Sequence, residues 1–387
     1  MSVYCTLMDD AFTLATELIH ISPTRPEADL IAKAAAILQR GGLVAFPTET
    51  VYGLGADALN PQAVERIFAA KERPAHDPII IHIADIEQLA QVARNVPALA
   101  LTLARRFWPG ALTLILPKAA VVPSNVTADG PTVAIRCPSH PVARSLIRAA
   151  GVPIAAPSAN RFSHTSPTQA QHVLDDLDGR VELILDGGPT PIGVESTVLD
   201  VTGPQPRILR PGGVTAEALA TAIETTILPP AHSMKAPFTE QETATAVLPS
   251  PGLLDKHYAP HTPLWLYTQE DGADVGSEDI ESIQQAMLTR ATKEQHAGGT
   301  VALLLADEDT DVFAAQGWRT VSVGSLAALD QVAARLFSAL RAIDTPGTTL
   351  LLARDFPAHD LGLAVRDRLR RAAVRVVNVS TDKNQEV

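Results

Sequence analysis

The chain has 387 residues, 46% apolar and 4% aromatic, with 30 prolines, two cysteines and a formal net charge of -12. That length exceeds one ordinary core and predicts two domains, and the composition excludes a chain disordered as a whole. Cys5 and Cys137 stand far apart without neighbours at ligand spacing, which argues against a disulfide framework or a protein-held metal, and the acidic balance makes a general nucleic-acid binder unlikely on charge alone.

Asp9, Asp10 and Glu17 stand where a signal peptide would carry cations, and no apolar run approaches the roughly 20 residues of a membrane helix. No membrane span and a reducing cytoplasm are expected. Residues 1–21 read as an arm or a short added strand. Helical spacing runs from Glu27 to Gln39 and stops at Gly41-Gly42; the apolar run Leu43 to Phe46 is a buried strand that meets Pro47, so Thr48, Glu49, Thr50 and Tyr52 fall in a loop at a strand end. Open α/β sheets keep ligands at such ends, although Thr48 and Thr50 could equally bond local backbone. Asn60-Pro61 caps a helix through Lys71, so Lys71 and Arg73 sit at its end, where cations commonly complement the helix dipole.

The strand Pro78 to Ile83 is apolar except for His82, either a satisfied core histidine or a ligand contact. Helical segments around Ile86 to Ala93 and Pro97 to Phe107 precede strands at Leu112 to Leu116 and Thr132 to Arg136. Arg136 closes the second strand as a candidate fork for a carboxylate or phosphate, or as a surface residue covering apolar area. A helix from Pro141 to Ala149 leads to the strand Val152 to Ala156, which ends in Pro157-Ser158-Ala159-Asn160. After a loop from Arg161 to Thr168, a helix (Ala170 to Leu177) and a strand (Val181 to Leu185), Gly193-Val194-Glu195-Ser196-Thr197 opens the strand Val198 to Val201, and Pro206 to Leu209 ends at Arg210. Strand ends that converge with such residues make one pocket of hydroxyl, cation and backbone contacts.

The motifs PTETVYGLG, Lys71-x-Arg73-Pro74, the strand with His82, WPGALTLIL, TVAIR, APSAN, GVEST and LRPG, in this order over about residues 22–228, resemble the YrdC-like threonylcarbamoyl-AMP synthases. The resemblance implies an α/β fold: a twisted mixed sheet domain with a concave pocket over 22–228, followed by a linker over 229–262. It also implies condensation of L-threonine, bicarbonate and ATP to threonylcarbamoyl-AMP and pyrophosphate, the product passing to a tRNA threonylcarbamoyl transferase complex. By the same resemblance Thr50, His82, Arg136, Ser158 and Ser196 would hold threonine and bicarbonate. Lys71, Arg73, Asp77, Asn160, Thr168 and Arg210 would hold ATP with its Mg2+, with Lys71, Arg73 and Arg210 serving the transition state. Asp77 departs from the commoner asparagine, and Arg161-Phe162-Ser163-His164 from the commoner Ser-Gly.

The linker segment Ser250-Pro251-Gly252 to His257-Tyr258-Ala259-Pro260 is similar to one that reaches over the active site in the longer members of the family, which assigns Tyr258 to the nucleotide. Leu254 and Asp255 depart from a usual cation. From 263 to 387, strands at Leu264 to Tyr267, Val301 to Leu305, Thr320 to Val323, Thr349 to Leu352 and Val374 to Val379 alternate with helices at Asp279 to Thr292, Leu326 to Ile343 and Leu363 to Ala373, predicting a small doubly wound, Rossmann-like domain without a GxGxxG fingerprint. Arg366, Arg368, Arg370 and Arg371 on its last helix read as a solvated face, or less readily as an RNA contact. Two other functions remain in view: a tRNA- or double-stranded-RNA-binding module with weak tRNA contact, and a carbamoyl transferase.

Overall fold

A computed structural model describes residues 14–223, 225–229, 257–269 and 277–379. The first part of the arm, the Ser-Pro-Gly portion of the linker with Leu254 and Asp255, and the last residues of the chain lie outside the described residues.

Among the described residues ten strands form one mixed sheet. Its first half runs β1 (Glu17–His20), β8 (Leu183–Asp186), β2 (Val44–Phe46), β3 (Gly53–Asp57) and β7 (Ile154–Ala155). It continues through β4 (Ile81–His82), β6 (Thr132–Arg136), β5 (Leu112–Pro117), β9 (Thr197–Asp200) and β10 (Arg207–Arg210). The end of the expected arm thus adds an edge strand, β1, parallel to β8. β3 was not expected. Gly53 and Gly55, which follow that loop, lie in a strand antiparallel to β2, and a Cβ at Gly55 would come 2.7 Å from the Phe46 ring and 2.9 Å from Ile154. The expected strands around His82 and Ala155 are two residues each.

Helices cover both faces. On one, Ala28–Gln39 and Pro141–Ala150 bury Ile31, Leu38, Leu146 and Ile147 against Val44, Phe46 and Leu185; on the other, Val64 and Ile67 of Pro61–Lys71 join Leu54, Leu114 and Ile135. The Asn60 side chain accepts from the amides of Gln62 and Ala63 and so starts the helix that delivers Lys71.

The second sheet is all-parallel, ordered β13 (Arg319–Ser322), β12 (Val301–Leu305), β14 (Leu350–Arg354), β11 (Leu264–Thr268) and β15 (Arg375–Asn378). Its helices Leu329–Ile343 and Gly362–Ala372 pack against the first unit. Contact is close at Gly193, whose φ is +76° and whose added Cβ would lie 2.4 Å from the Ala333 carbonyl oxygen. Gly193→Ala combines a left-handed backbone with overpacking and is expected to destabilise the chain by about 2 kcal/mol. A denaturation midpoint equal to the parent's would show that the contact yields freely.

Candidate active site

The residues that the sequence placed at strand ends meet in one cleft, which encloses about 540 Å³ of empty space, partly open to solvent. Thr50 from the β2–β3 loop, Arg73, His82 from β4, Arg136 from β6, Ser158, Ser196 and Arg210 from β10 all line it. His257 and Tyr258, near the end of the linker, close it. Lys71, Asp77, Asn160 and Thr168 do not line it but lie behind the lining side chains.

The two threonines of the opening loop divide the roles that the sequence left open. Thr48 Oγ1 accepts from the amides of Thr50 and Val51 (3.1 and 3.2 Å) and donates to the Val51 carbonyl (2.6 Å), which fixes the turn. Thr50 Oγ1 instead accepts from Arg136 Nη1 at 2.8 Å. Arg136 is buried, so the surface reading does not hold. Its Nε donates to the Gly110 carbonyl at 3.3 Å, and Nη2 lies 2.7 Å from Glu49 Oε1. That last contact is an ion pair lacking hydrogen-bond direction, and both atoms remain buried without a hydrogen-bond partner. Arg136 is therefore held at the cleft wall with an unfilled donor. An anion would satisfy it.

His82 is the register partner of Arg136 on the neighbouring parallel strand. Burial, and then the charge of Arg136, bring its pKa down to about 3, so the ring is neutral near pH 7. Its Nδ1 is buried without a hydrogen-bond partner at good geometry.

Lys71 is fully buried rather than serving a helix dipole at the surface. Its Nζ donates to the carbonyls of Ser158 (2.6 Å) and Asn160, tying the helix end to the APSAN loop. Burial, and then nearby Arg73, hold its pKa well below the usual lysine value. Arg73 donates to the carbonyls of Asp77 (3.2 Å) and Pro78 (2.7 Å) and faces the Asp77 carboxylate at 2.8 Å. Burial raises the Asp77 pKa against that cation. The acidic departure at Asp77 is thus absorbed as an internal ion pair. Asn160 Nδ2 donates to the Arg161 and His164 carbonyls, and Thr168 Oγ1 pairs with Ser338 of the second unit at 2.8 Å.

Opposite, Arg210 Nε and Nη2 donate to the Ser196 carbonyl (3.3 and 2.9 Å), and Ser196 Oγ pairs with Thr113 Oγ1 at 2.7 Å. Tyr258 sits at φ +65° among Val51, Val194 and Phe337 and is buried. Residues beside it are stitched to both units, the His257 amide to the Arg371 carbonyl and the Ala259 amide to the Ser163 carbonyl.

The reading of the last helix as a solvated face is overturned. Arg366 and Arg368 are buried, Arg366 pairing with Asp355 at 3.2 Å and Arg368 with Glu195 at 2.8 Å. Distant carboxylates reverse what the local sequence implies. Glu49, Glu195, Thr113 and His257 are site residues to which sequence reasoning gave no role of their own; the two glutamates stood inside the motifs, but their partners are 87 and 173 positions away.

A second ion pair across the units joins Arg341 to Asp176 (2.8 Å). Burial would raise the Asp176 pKa, but His164 and Arg341 outweigh it and bring it to about 2. A depressed carboxylate pKa contributes stability above the unfolded value, and that contribution is lost as the pH falls from about 4 to about 2. Arg341→Met is expected to cost about 2 kcal/mol at pH 7, with the difference from the parent closing in acid. A difference in urea midpoints that stays constant across that range would refute the linkage.

The family model Sua5_yciO_yrdC, described as telomere recombination, matches residues 36–212, and Sua5_C, described as the C-terminal domain of threonylcarbamoyl-AMP synthase, matches 214–374. The threonylcarbamoyl-AMP synthase of Bacillus subtilis is 46% identical over 344 residues, 89% of this chain and 92% of that one. The chain belongs to the threonylcarbamoyl-AMP synthase family. The family's Pyrococcus abyssi member is 43% identical over 347 residues, covering 89% of this chain and 95% of its own. A crystal structure of P. abyssi Sua5 complexed with L-threonine superposes with a TM-score of 0.81 at 40% identity, covering 94% of this chain and 99% of that one. The synthase fold, a large mixed sheet with a second parallel sheet, is the one described above. Among the described residues no helix is long and apolar enough to cross a membrane.

Proposed function

We propose that this chain is an L-threonylcarbamoyladenylate synthase, a nucleotidyltransferase that condenses L-threonine, bicarbonate and ATP. The observation that carries the reading is the single cleft in which Arg136, with an unfilled donor, faces the same space as Arg73 and Arg210. The threonine carboxylate, the carbamate formed on its nitrogen and the ATP phosphates are all anionic, and a site that joins them needs fixed cations and positioning more than a nucleophilic side chain.

In this reading the threonine carboxylate takes the Arg136 Nη2 donor, with Thr50 fixing the guanidinium and Ser158 and Ser196 offering hydroxyls. Neutral His82 offers its unpartnered Nδ1, the tautomer being set by whichever group meets it. The threonine nitrogen adds to bicarbonate with loss of water. The resulting carbamate oxygen attacks the α-phosphorus of ATP, a P–O bond forms, and the bond to pyrophosphate breaks. Arg73 and Arg210 lie on the wall to meet phosphate oxygens, and Tyr258 covers the nucleotide. Lys71 shapes the Ser158–Asn160 loop from behind the lining side chains. Asn160, Thr168 and Asp77 support that wall. Magnesium arrives on ATP. The product passes in the cytoplasm to a separate transferase that modifies tRNA.

The test is pyrophosphate release by the purified chain with ATP and magnesium, omitting threonine or bicarbonate in turn. Release that requires both is expected. Release that persists without either would end this reading.

A further inference from the structure

Tyr258 of the linker is not the only residue from outside the first unit that bears on the cleft. Arg368, on the helix Gly362–Ala372, is fully buried at the contact between the units. Its Nε donates to Glu195 Oε2 and its Nη1 to the Pro211 carbonyl, both at 2.8 Å. These two acceptors stand immediately beside Ser196 and Arg210. One planar group therefore clamps the two segments that carry a proposed threonine contact and a proposed phosphate contact. The segments are already in intimate contact: Gly213 donates its amide to the Glu195 carbonyl at 3.0 Å, and a Cβ on Gly212 would lie 2.3 Å from that same oxygen.

Every other group around the clamp is also fixed. Glu195 Oε1 accepts from Ser166 Oγ, so both of its oxygens are engaged. Asp367 accepts from Arg368 Nη1 at 2.6 Å and from Arg371 Nε at 3.0 Å, and the Tyr258 ring centroid lies 5.3 Å from the Arg368 guanidinium carbon. Arg368 thus touches the Glu195, Pro211 and Tyr258 walls without itself lining the cleft.

We propose that Arg368 is a positioning residue for the synthase reaction, through which the second unit sets the distance between the threonine-binding and phosphate-binding walls. The inference rests on the functional reading above and assigns this part of the second unit a task in the reaction. A lysine in its place would keep the charge, but a compact ammonium cannot reproduce the fork to a carboxylate and a carbonyl on separate segments. Removing Arg368 also leaves Glu195 as a buried carboxylate near Arg210, free to draw that side chain out of line.

The experiment measures kcat and both KM values for pyrophosphate release at a temperature where circular dichroism shows every variant folded. Arg368→Met is expected to lower kcat by roughly 10- to 100-fold, the scale of an ångström-sized misplacement of reacting groups. Arg368→Lys should recover only part of it. Because the effect passes through Glu195, combining Arg368→Met with Glu195→Gln should cost no more than the worse single change. Thermal destabilisation with kcat and both KM values unchanged would overturn the inference and leave Arg368 as interface packing; additive losses in the double variant would also overturn it. Should Arg368→Met fail to fold, Arg368→Lys and Glu195→Gln decide by the same kinetic criteria. A parent chain that releases no pyrophosphate overturns the functional reading itself, whereas an active parent with unaltered variants overturns this inference alone.

Discussion

Arg136→Ala is expected to lower kcat/KM for L-threonine by about 100-fold or more, because truncating one partner of a buried, hydrogen-bonded charge pair costs several kcal/mol. The KM for ATP should change far less, since the donor left unfilled by Glu49 and Thr50 is the one proposed to meet threonine. The same change strips Glu49 of its buried cation, so a loss of stability on the order of 3 kcal/mol accompanies it. Arg136→Lys separates the two effects: it returns charge to Glu49 but offers no fork, and should restore most of the stability while leaving the threonine KM high. Steady-state kinetics with each substrate varied in turn decide the matter. Equal losses for threonine and ATP would remove Arg136 from the carboxylate.

Arg210→Met is expected to act on kcat, lowering it by roughly 100- to 1,000-fold, the range for removing one preorganised donor from a developing negative charge. Arg210 is buried, points two nitrogens at the Ser196 carbonyl and lines the cleft. Its loss therefore loosens the threonine wall as well, and a modest rise in the threonine KM is part of the expectation. Single-turnover pyrophosphate release at saturating threonine isolates the chemical step. A variant whose single-turnover rate matches the parent would place Arg210 outside the transition state.

The architecture was legible where a short rule governs a long element. Apolar periodicity located the helices around Leu38, Val64 and Leu336, and the alternation of strands and helices after residue 263 gave a parallel sheet. β3 was not legible, because glycine is ordinarily a turn signal, and only the Phe46 ring and Ile154 across the sheet explain why Gly55 must be bare. The assembly of the cleft was readable as strand ends because the motifs followed apolar runs. What sets each side chain's state was not. His82 and Arg136 are 54 positions apart yet adjacent in register, and it is burial, reinforced by this adjacency, that keeps the histidine neutral. Arg368 illustrates the limit most clearly, since four arginines on one helix carry no local sign that three of them meet carboxylates outside it.

The acidic companions of the cleft arginines bear on what happens after the reaction. Arg73 faces Asp77 and Arg136 faces Glu49, while Glu195 lies in the electrostatic reach of Arg210 as it pairs with Arg368. A receptor meant to retain anions would leave such cations bare. On the proposed assignment each departing anion would surrender its arginine to a carboxylate already in place, so the attraction that gathers the substrates would be partly offset from within the protein when pyrophosphate leaves. The built-in counterions thus favour turnover over retention, trading tightness of grip for ease of escape.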